Sequence, residues 1–223
     1  MEKNNGKVIA IVALVVAVVA LSAGFAAFTA VLNITNATAT VKASDTFEPK
    51  VNYTTPNSAK CYKTGEPSTS VTNAVAGTAS GKSWSGISVP LTTDVPSVTC
   101  EAEVTNESTF TAYLQNLQTA GNIQCSSVAT GSAAVTSTVV TTVCAGTTMI
   151  VHVGNADPEA NNIDKVTVGS GSAAQTVTGT SSISAGQTQK IYVTVKTTQA
   201  AAADGDILVT LPFITHTYRT VAN

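Results

Sequence analysis

The stretch Gln187-Thr188-Gln189-Lys190-Ile191-Tyr192-Val193-Thr194-Val195-Lys196-Thr197 decides the fold class. Its centre is a run of β-branched and aromatic residues, stiff at χ1 and suited to a pleated surface. Ala185-Gly186 in front of it supplies a turn. Similar short runs, alternating or apolar, recur at Phe47–Tyr53, Ser83–Leu91, Ser97–Val104, Phe110–Leu117, Val135–Val143, Thr147–Val153, Ile163–Val168, Gln175–Gly179 and Asp206–Tyr218. Turn chemistry separates them, as at Gly65-Glu66-Pro67, Ala76-Gly77, Gly154-Asn155-Ala156-Asp157-Pro158, Gly169-Ser170-Gly171 and Asp204-Gly205. Many short strands punctuated in this way predict an all-β sandwich. No long amphipathic helix competes, apart from a short turn near Gln199–Ala203, and Pro212 predicts that the last strand is an edge or carries a bulge there.

The N-terminus reads differently. Lys3 and Lys7 lead into an uncharged run from Val8 to Leu32, which contains the small-x-small site Gly24-Phe25-Ala26. A positive region, an apolar segment and such a site describe a secretory signal peptide over residues 1–26, cut before Ala27. Two rival readings exist: an uncleaved membrane anchor, because the run is long enough to span a bilayer, and a type IV pilin-like leader cut after Gly6. The second lacks the early acidic residue that such leaders use for assembly. After the leader, residues 27–41 form one extended, uncharged segment with Phe28, Ala30, Leu32 and Ile34 on one face, and residues 42–223 form the sandwich. Fifteen residues of strand would span about 50 Å, longer than a usual strand, and an exposed apolar strand needs a partner.

Composition narrows the function classes. Charged residues are 11% of the chain and the formal net charge is −2, which leaves no electrostatic footprint for nucleic acid or anionic lipid. Membrane contact is therefore expected only through the leader, before cleavage. Four cysteines, Cys61, Cys100, Cys125 and Cys144, follow the leader, and in an oxidising compartment an even number reads as two disulfides. Three connectivities are open. Loop closure slightly favours Cys61–Cys100 and Cys125–Cys144, each contributing about 3–4 kcal/mol. Zinc is a poor fit, because no two cysteines lie two to four residues apart and only His152 and His216 are histidines.

Catalytic constellations are not visible: there is no His-Glu-x-x-His, no Gly-x-Ser-x-Gly elbow and no phosphate-binding glycine loop. His152 lies in an apolar run and reads as a surface or hydrogen-bonded structural histidine. Asp157, Glu159 and Asp164, or Asp204 with Asp206, offer hard oxygens for Ca²⁺ but lack the spacing of a known calcium loop, so they read as solvated turns. No cofactor or metal is expected. Sequons at Asn33, Asn36, Asn52 and Asn106 are candidate glycosylation sites. Trp84, Tyr53, Tyr62 and Tyr113 are candidates for a ligand groove, with packing in a sandwich core as the commoner use of such residues.

Gly24-Phe25-Ala26-Ala27-Phe28-Thr29, Val151-His152-Val153-Gly154-Asn155 with Ile163-Asp164-Lys165-Val166, Ser184-Ala185-Gly186-Gln187 before Ile191-Tyr192-Val193-Thr194-Val195, and the final apolar run Ile207–Phe213 together carry a resemblance. The chain resembles the TasA/camelysin-type exported fibre proteins of biofilm matrices and the related archaeal bundling pili and thread filaments. The resemblance covers the N-terminus and, more loosely, the last 75 or so residues. It implies a jelly-roll or Ig-like sandwich whose N-terminal segment inserts into the next subunit. Phe28, Leu32 and Ile34 would be the donor-strand anchors, in a homopolymeric filament contributing to biofilm or cell adhesion. A membrane-anchored surface binding or coat protein with a self-complete sandwich is the alternative, and an enzyme is not expected.

Overall fold

Two ten-residue strands give the molecule its spine. In β6 (Ser97–Asn106) every second side chain, Val98, Cys100, Ala102 and Val104, points into the core, and in β13 (Thr188–Thr197) the same holds for Ile191, Val193 and Val195. The two strands pair antiparallel over nearly their whole lengths, with Val193 opposite Cys100. The period of two in side-chain direction is what lets one face bury while the other carries polar groups.

These coordinates are a computed structural model that describes residues 15, 48–54, 58–127, 137–198 and 207–222. The chain divides into two compact units, Met1–Ser44 and Asp45–Asn223, and the described strands all lie in the second. The leader and donor segment, 1–26 and 27–41, with Phe28, Leu32, Ile34 and the sequons at Asn33 and Asn36, lie outside the described residues except for residue 15.

The described residues form three antiparallel sheets. The first runs β6, β13, then β9 (Thr147–Val153) and β10 (Lys165–Gly169), with β1 (Val51–Tyr53) and β2 (Lys60–Lys63) sharing the other side of β6. The second has the order β11 (Gln175–Thr178), β7 (Ala112–Ala120), β15 (Phe213–Arg219), β4 (Ser83–Ser85) and β3 (Thr78–Ser80), with β12 (Ser182–Ile183) also on β7. The third joins β5 (Ser88–Leu91), β14 (Ile207–Thr210) and β8 (Gln124–Ser127). The predicted all-β, sandwich-like fold is the one observed, with a core that takes Val151, Val168 and Ile191 from the first sheet, Trp84, Leu114, Leu117 and Ile214 from the second and Val89 and Ile207 from the third.

The third sheet continues the second around a corner. The pairs β4–β5, β7–β8 and β14–β15 each pass from one sheet to the other, and all three break at neighbouring points: Gly86-Ile87, Gly121 to Ile123, and Leu211-Pro212. Gly86 and Gly121 have φ of 72° and 97°, values an L side chain rarely adopts. Leu211 N–H donates to Ile87 O at 3.0 Å, so one ladder bond survives at the bend, and Pro212 needs none. This corrects three expectations. Ser83–Leu91 and Asp206–Tyr218 are each two strands, and Pro212 marks neither an edge nor a bulge. Both strands flanking it are interior, and the register irregularity of β15 falls at Thr217/Tyr218.

The expected strand Val135–Val143 is also corrected: Ser137–Ala145 is a helix, α1. Its valines and threonines favour strands intrinsically, but tertiary contacts override that preference. Val143 is buried against the core and Cys144 is tied to Cys125 on β8. Thr142 Oγ1 donates to Thr138 O at 2.9 Å, and Thr147 Oγ1 to Val143 O at 2.7 Å, so the hydroxyls bond the helix's own carbonyls. Among the described residues no helix is long and apolar enough to cross a membrane.

Candidate functional site

Both disulfides are closed as the loop-closure preference expected. Cys61 stands directly opposite Cys100 in the β2–β6 register, Cα–Cα 4.0 Å, and Cys125 joins Cys144 at 5.8 Å. Disulfides of this kind belong to proteins folded in an oxidising compartment, as an exported chain would be.

The outer face of the first sheet, turned away from the core, carries the densest polar chemistry. Strand register places Lys60, Glu101, Tyr192, His152 and Lys165 in one row across five strands. Tyr62, Thr99 and Thr194 stand in the next row. Glu101 is nearly buried, yet Lys190 Nζ donates to its Oε1 at 2.8 Å, Tyr62 Oη to its Oε2 at 3.0 Å, and Lys60 Nζ lies 3.3 Å from Oε1. Burial opposes its charge, but the hydrogen bonds from Lys190 and Tyr62, with the positive charges of Lys190 and Lys60, together hold the carboxyl below its usual value. The same burial, reinforced by Glu101, pushes the Tyr62 phenol up.

Beside this cluster runs a continuous hydrogen-bond chain. Ser97 Oγ donates to Thr64 Oγ1 at 2.8 Å, and Thr64, Thr99, Thr194 and His152 Nε2 follow at 2.9, 3.0 and 3.1 Å; His152 Nδ1 lies 2.8 Å from Asn155 O. The direction of every bond follows from chemistry. A carbonyl only accepts, so Nδ1 carries the proton. Burial lowers the His152 pKa to about 4, so at neutral pH the ring is uncharged and Nε2 accepts from Thr194. The single hydroxyl proton of Thr194 is then spent, so Thr99 donates to Thr194 and Thr64 to Thr99. Tyr192 stacks on the His152 ring at 5.2 Å and 14°.

A hydroxyl bonded to an imidazole that is oriented from its other nitrogen has the connectivity of a nucleophile and base. Thr194 and His152 are both wholly buried, however, so no solute meets that hydroxyl. His152 is thus the hydrogen-bonded structural histidine of the sequence expectation. His216 lies inside the sandwich, its ring 4.9 Å from Tyr53 and 5.5 Å from Tyr218, with neither nitrogen bonded. Burial, with a smaller contribution from Lys82, lowers its pKa to about 3.

The remaining sequence candidates separate. Asp157 Oδ1 accepts from the Glu159 N–H at 2.9 Å and Glu159 pairs with Lys196, whereas Asp164 turns the other way. Asp164 accepts from the N–H groups of Thr180 and Ser181, the shortest at 2.6 Å, and so laces the edge of the first sheet to the loop before β12. The three carboxylates do not converge, and among the described residues no three His, Cys, Asp or Glu side chains form a metal cluster; Asp204 and Asp206 lie outside the described residues. Asn106 requires a correction as a glycosylation candidate. It is wholly buried, and its amide nitrogen donates to the carbonyls of Phe110, Ile183 and Ser184, so no sugar can be carried there in the folded domain. Asn52 sits half-buried on the edge strand β1. Of the four aromatics, Tyr53, Tyr62 and Trp84 are buried, and Tyr113 alone is half-exposed, on the outer face of the second sheet.

No protein-family model matches the chain, and no curated protein does. Among solved structures, one described as TmCBM61 in complex with beta-1,4-galactotriose superposes over 78% of this chain and 88% of its own, at 13% identity and a TM-score of 0.27. A superposition that loose fixes no strand correspondence.

Proposed function

We propose that this chain is a structural, non-enzymatic subunit of the cell exterior, whose sandwich forms the body of a head-to-tail filament joined through residues 27–41 of the neighbouring copy. One observation carries the reading: residues 27–41 form a single long, uncharged run with Phe28, Ala30, Leu32 and Ile34 on one face, directly after the expected cut site. An apolar strand of that length needs a pairing partner, and a second copy can supply one. β1 lies on β6 at the edge of the first sheet, and just before it Lys50 O accepts from Glu107 N–H at 2.8 Å. Strand addition supplies main-chain hydrogen bonds while Phe28, Leu32 and Ile34 fill pockets, each buried side chain contributing about 1.5–3 kcal/mol. Unlike donor and acceptor surfaces propagate as an open filament.

The two disulfides fit equally a second reading, an anchored surface binding or coat protein that keeps its leader. Electron microscopy of the exported protein with N-terminal sequencing of the same sample separates the two. Uniform filaments that start at Ala27 support strand donation; a membrane-extracted monomer that starts at Met1 supports the anchored protein. Removal of residues 27–41 should leave soluble monomers, and unchanged filaments after that deletion would rule out donation. Leu32→Asp should impair assembly far more than Thr29→Asp, because it buries an unpaired charge.

A further inference from the structure

We propose that the outer face of the second sheet is a binding surface for a neutral glycan. Charge is partitioned between the two outer faces. The first sheet's outer face carries Lys60, Glu101, Glu103, Lys165, Lys190 and Lys196, whereas Arg219 is the one charged residue in any strand of the second. In place of charge the second face presents amides and hydroxyls in register. Thr176, Gln118, Thr215, Ser83 and Ser80 form one cross-strand row over five strands. Gln118, Thr176 and Ser80 are exposed, so the row is open to solvent.

An aromatic ring stands at each end of this face. Phe213, 42% exposed, begins β15, and Tyr113 lies opposite Arg219 at its end. Six residues of strand separate the two positions, about 20 Å, with amide and hydroxyl groups between. That is the layout an oligosaccharide needs: rings to cover the apolar C–H faces of sugars, and planar amides and hydroxyls to exchange hydrogen bonds with theirs.

The alternatives fit less well. A single arginine does not make the cationic cluster that recognises phosphate or a polyanion. A protein partner would need an apolar centre to its contact, and this face offers only Phe213, Ala120 and part of Tyr113. The proposal is independent of how copies join, so a filament indifferent to glycans would overturn it and leave strand donation standing.

The test is affinity electrophoresis and calorimetry of the full exported chain with neutral β-linked glucan, galactan and xylan oligosaccharides, with polygalacturonate as the anionic control. Neutral oligosaccharides should bind, Tyr113→Ala and Phe213→Ala should each weaken binding about two- to tenfold, and Lys190→Ala should leave it unchanged. Hydrogen-exchange footprinting of the unsubstituted chain should show protection at β7 and β15, which requires no variant to fold. Absence of binding to every neutral oligosaccharide overturns the proposal, as does binding confined to polygalacturonate or insensitive to both aromatic substitutions. Sedimentation that shows a dimer lost on Phe213→Ala, without glycan binding, would assign the face to a second copy instead.

Discussion

Thr194→Val tests the hydrogen-bond chain at its most exacting link. The substitution keeps the shape of the side chain and deletes one hydroxyl, which donates to His152 Nε2 at 3.1 Å and accepts from Thr99 at 3.0 Å. Both partners are wholly or almost wholly buried, so an imidazole acceptor and a hydroxyl donor are stranded where water does not reach. Leaving a buried polar group unsatisfied costs about 1–3 kcal/mol, which gives about 2–5 kcal/mol for the pair and a fall in Tm of about 5–15 °C for a domain of this size. Ser97→Ala, at the half-exposed head of the chain, removes only a donor to Thr64 that solvent can replace, and should cost under about 1 kcal/mol. Thermal and urea unfolding read both, and the double variant Thr99→Val/Thr194→Val should be less destabilised than the sum, because the bond between the two is lost once. Equal effects for Thr194→Val and Ser97→Ala, or imidazole nitrogen chemical shifts that place the His152 proton on Nε2, would refute the deduced direction.

Acid should destabilise the domain steeply below neutral pH. The folded-state values of His216 and His152, about 3 and about 4, lie below the ordinary 6.5, so below pH 6.5 the unfolded chain binds protons the folded one refuses, and stability falls until the folded values are reached. The loss is on the order of 5 kcal/mol for His216 and 3 kcal/mol for His152. Glu101 and Asp164, held below their usual values, act in the same sense at lower pH. Urea midpoints between pH 7 and 4.5 should show the fall, and His216→Leu should flatten it; an unchanged slope in that variant would refute His216 as a source. Gly77→Ala should prevent folding or cost several kcal/mol, because φ there is +71° and a Cβ would collide with the Ser85 carbonyl and meet backbone atoms of Gly86 and Ile87 at 2.8 Å; circular dichroism checks it. Asn106→Asp leaves a buried carboxylate facing three carbonyls, and should lower Tm by more than 5 °C at pH 7 and by less at pH 4, where the acid form can donate again.

The sequence displayed strands best where one long run met clear turns. Thr147–Val153 is observed with the expected bounds, and Gln187–Thr197 differs by one residue. It did not display β2, β3, β8 and β12, where two to four residues carry no apolar alternation to read and tertiary pairing makes them strands. Helix α1 was hidden by its own composition, because valine and threonine become helical here only through Val143 in the core and Cys144 on β8. The polar chain on the first sheet could not be seen from sequence, since Thr64, Thr99, His152 and Thr194 come from separate segments and meet only through register. His152 itself carried a signal: a histidine amid apolar strand residues needs partners for both nitrogens if it is buried.

The distribution of charge bears on how such a subunit can assemble. On the first sheet's outer face Lys190 and Lys60 are anchored to a buried carboxylate, Lys196 pairs with Glu159 from the loop after β9 and Lys165 donates to Pro158 O, so these four lysines already have partners. A face whose charges already have partners offers little to another chain, because docking would strip water from the lysines without a new bond in return. The strands of the second sheet's outer face have a single charge to desolvate, Arg219. Edge strands β1 and β3 meet at one margin, where Tyr53 N–H donates to Gly81 O at 2.8 Å, and Asp164 closes the other, so two lateral margins are tied by hydrogen bonds within the domain. Strand donation therefore has to enter at an edge not tied in this way. In the third sheet β5 is guarded by Pro90 and by its bridge to Val75, whereas the exposed strand β8 pairs with β14 on one side and is pinned to α1 through Cys125–Cys144. On the strand-donation reading, reduction of that disulfide should impair assembly before it unfolds the sandwich, because its 19-residue loop holds the helix beside β8 and leaves the β6–β13 spine untouched.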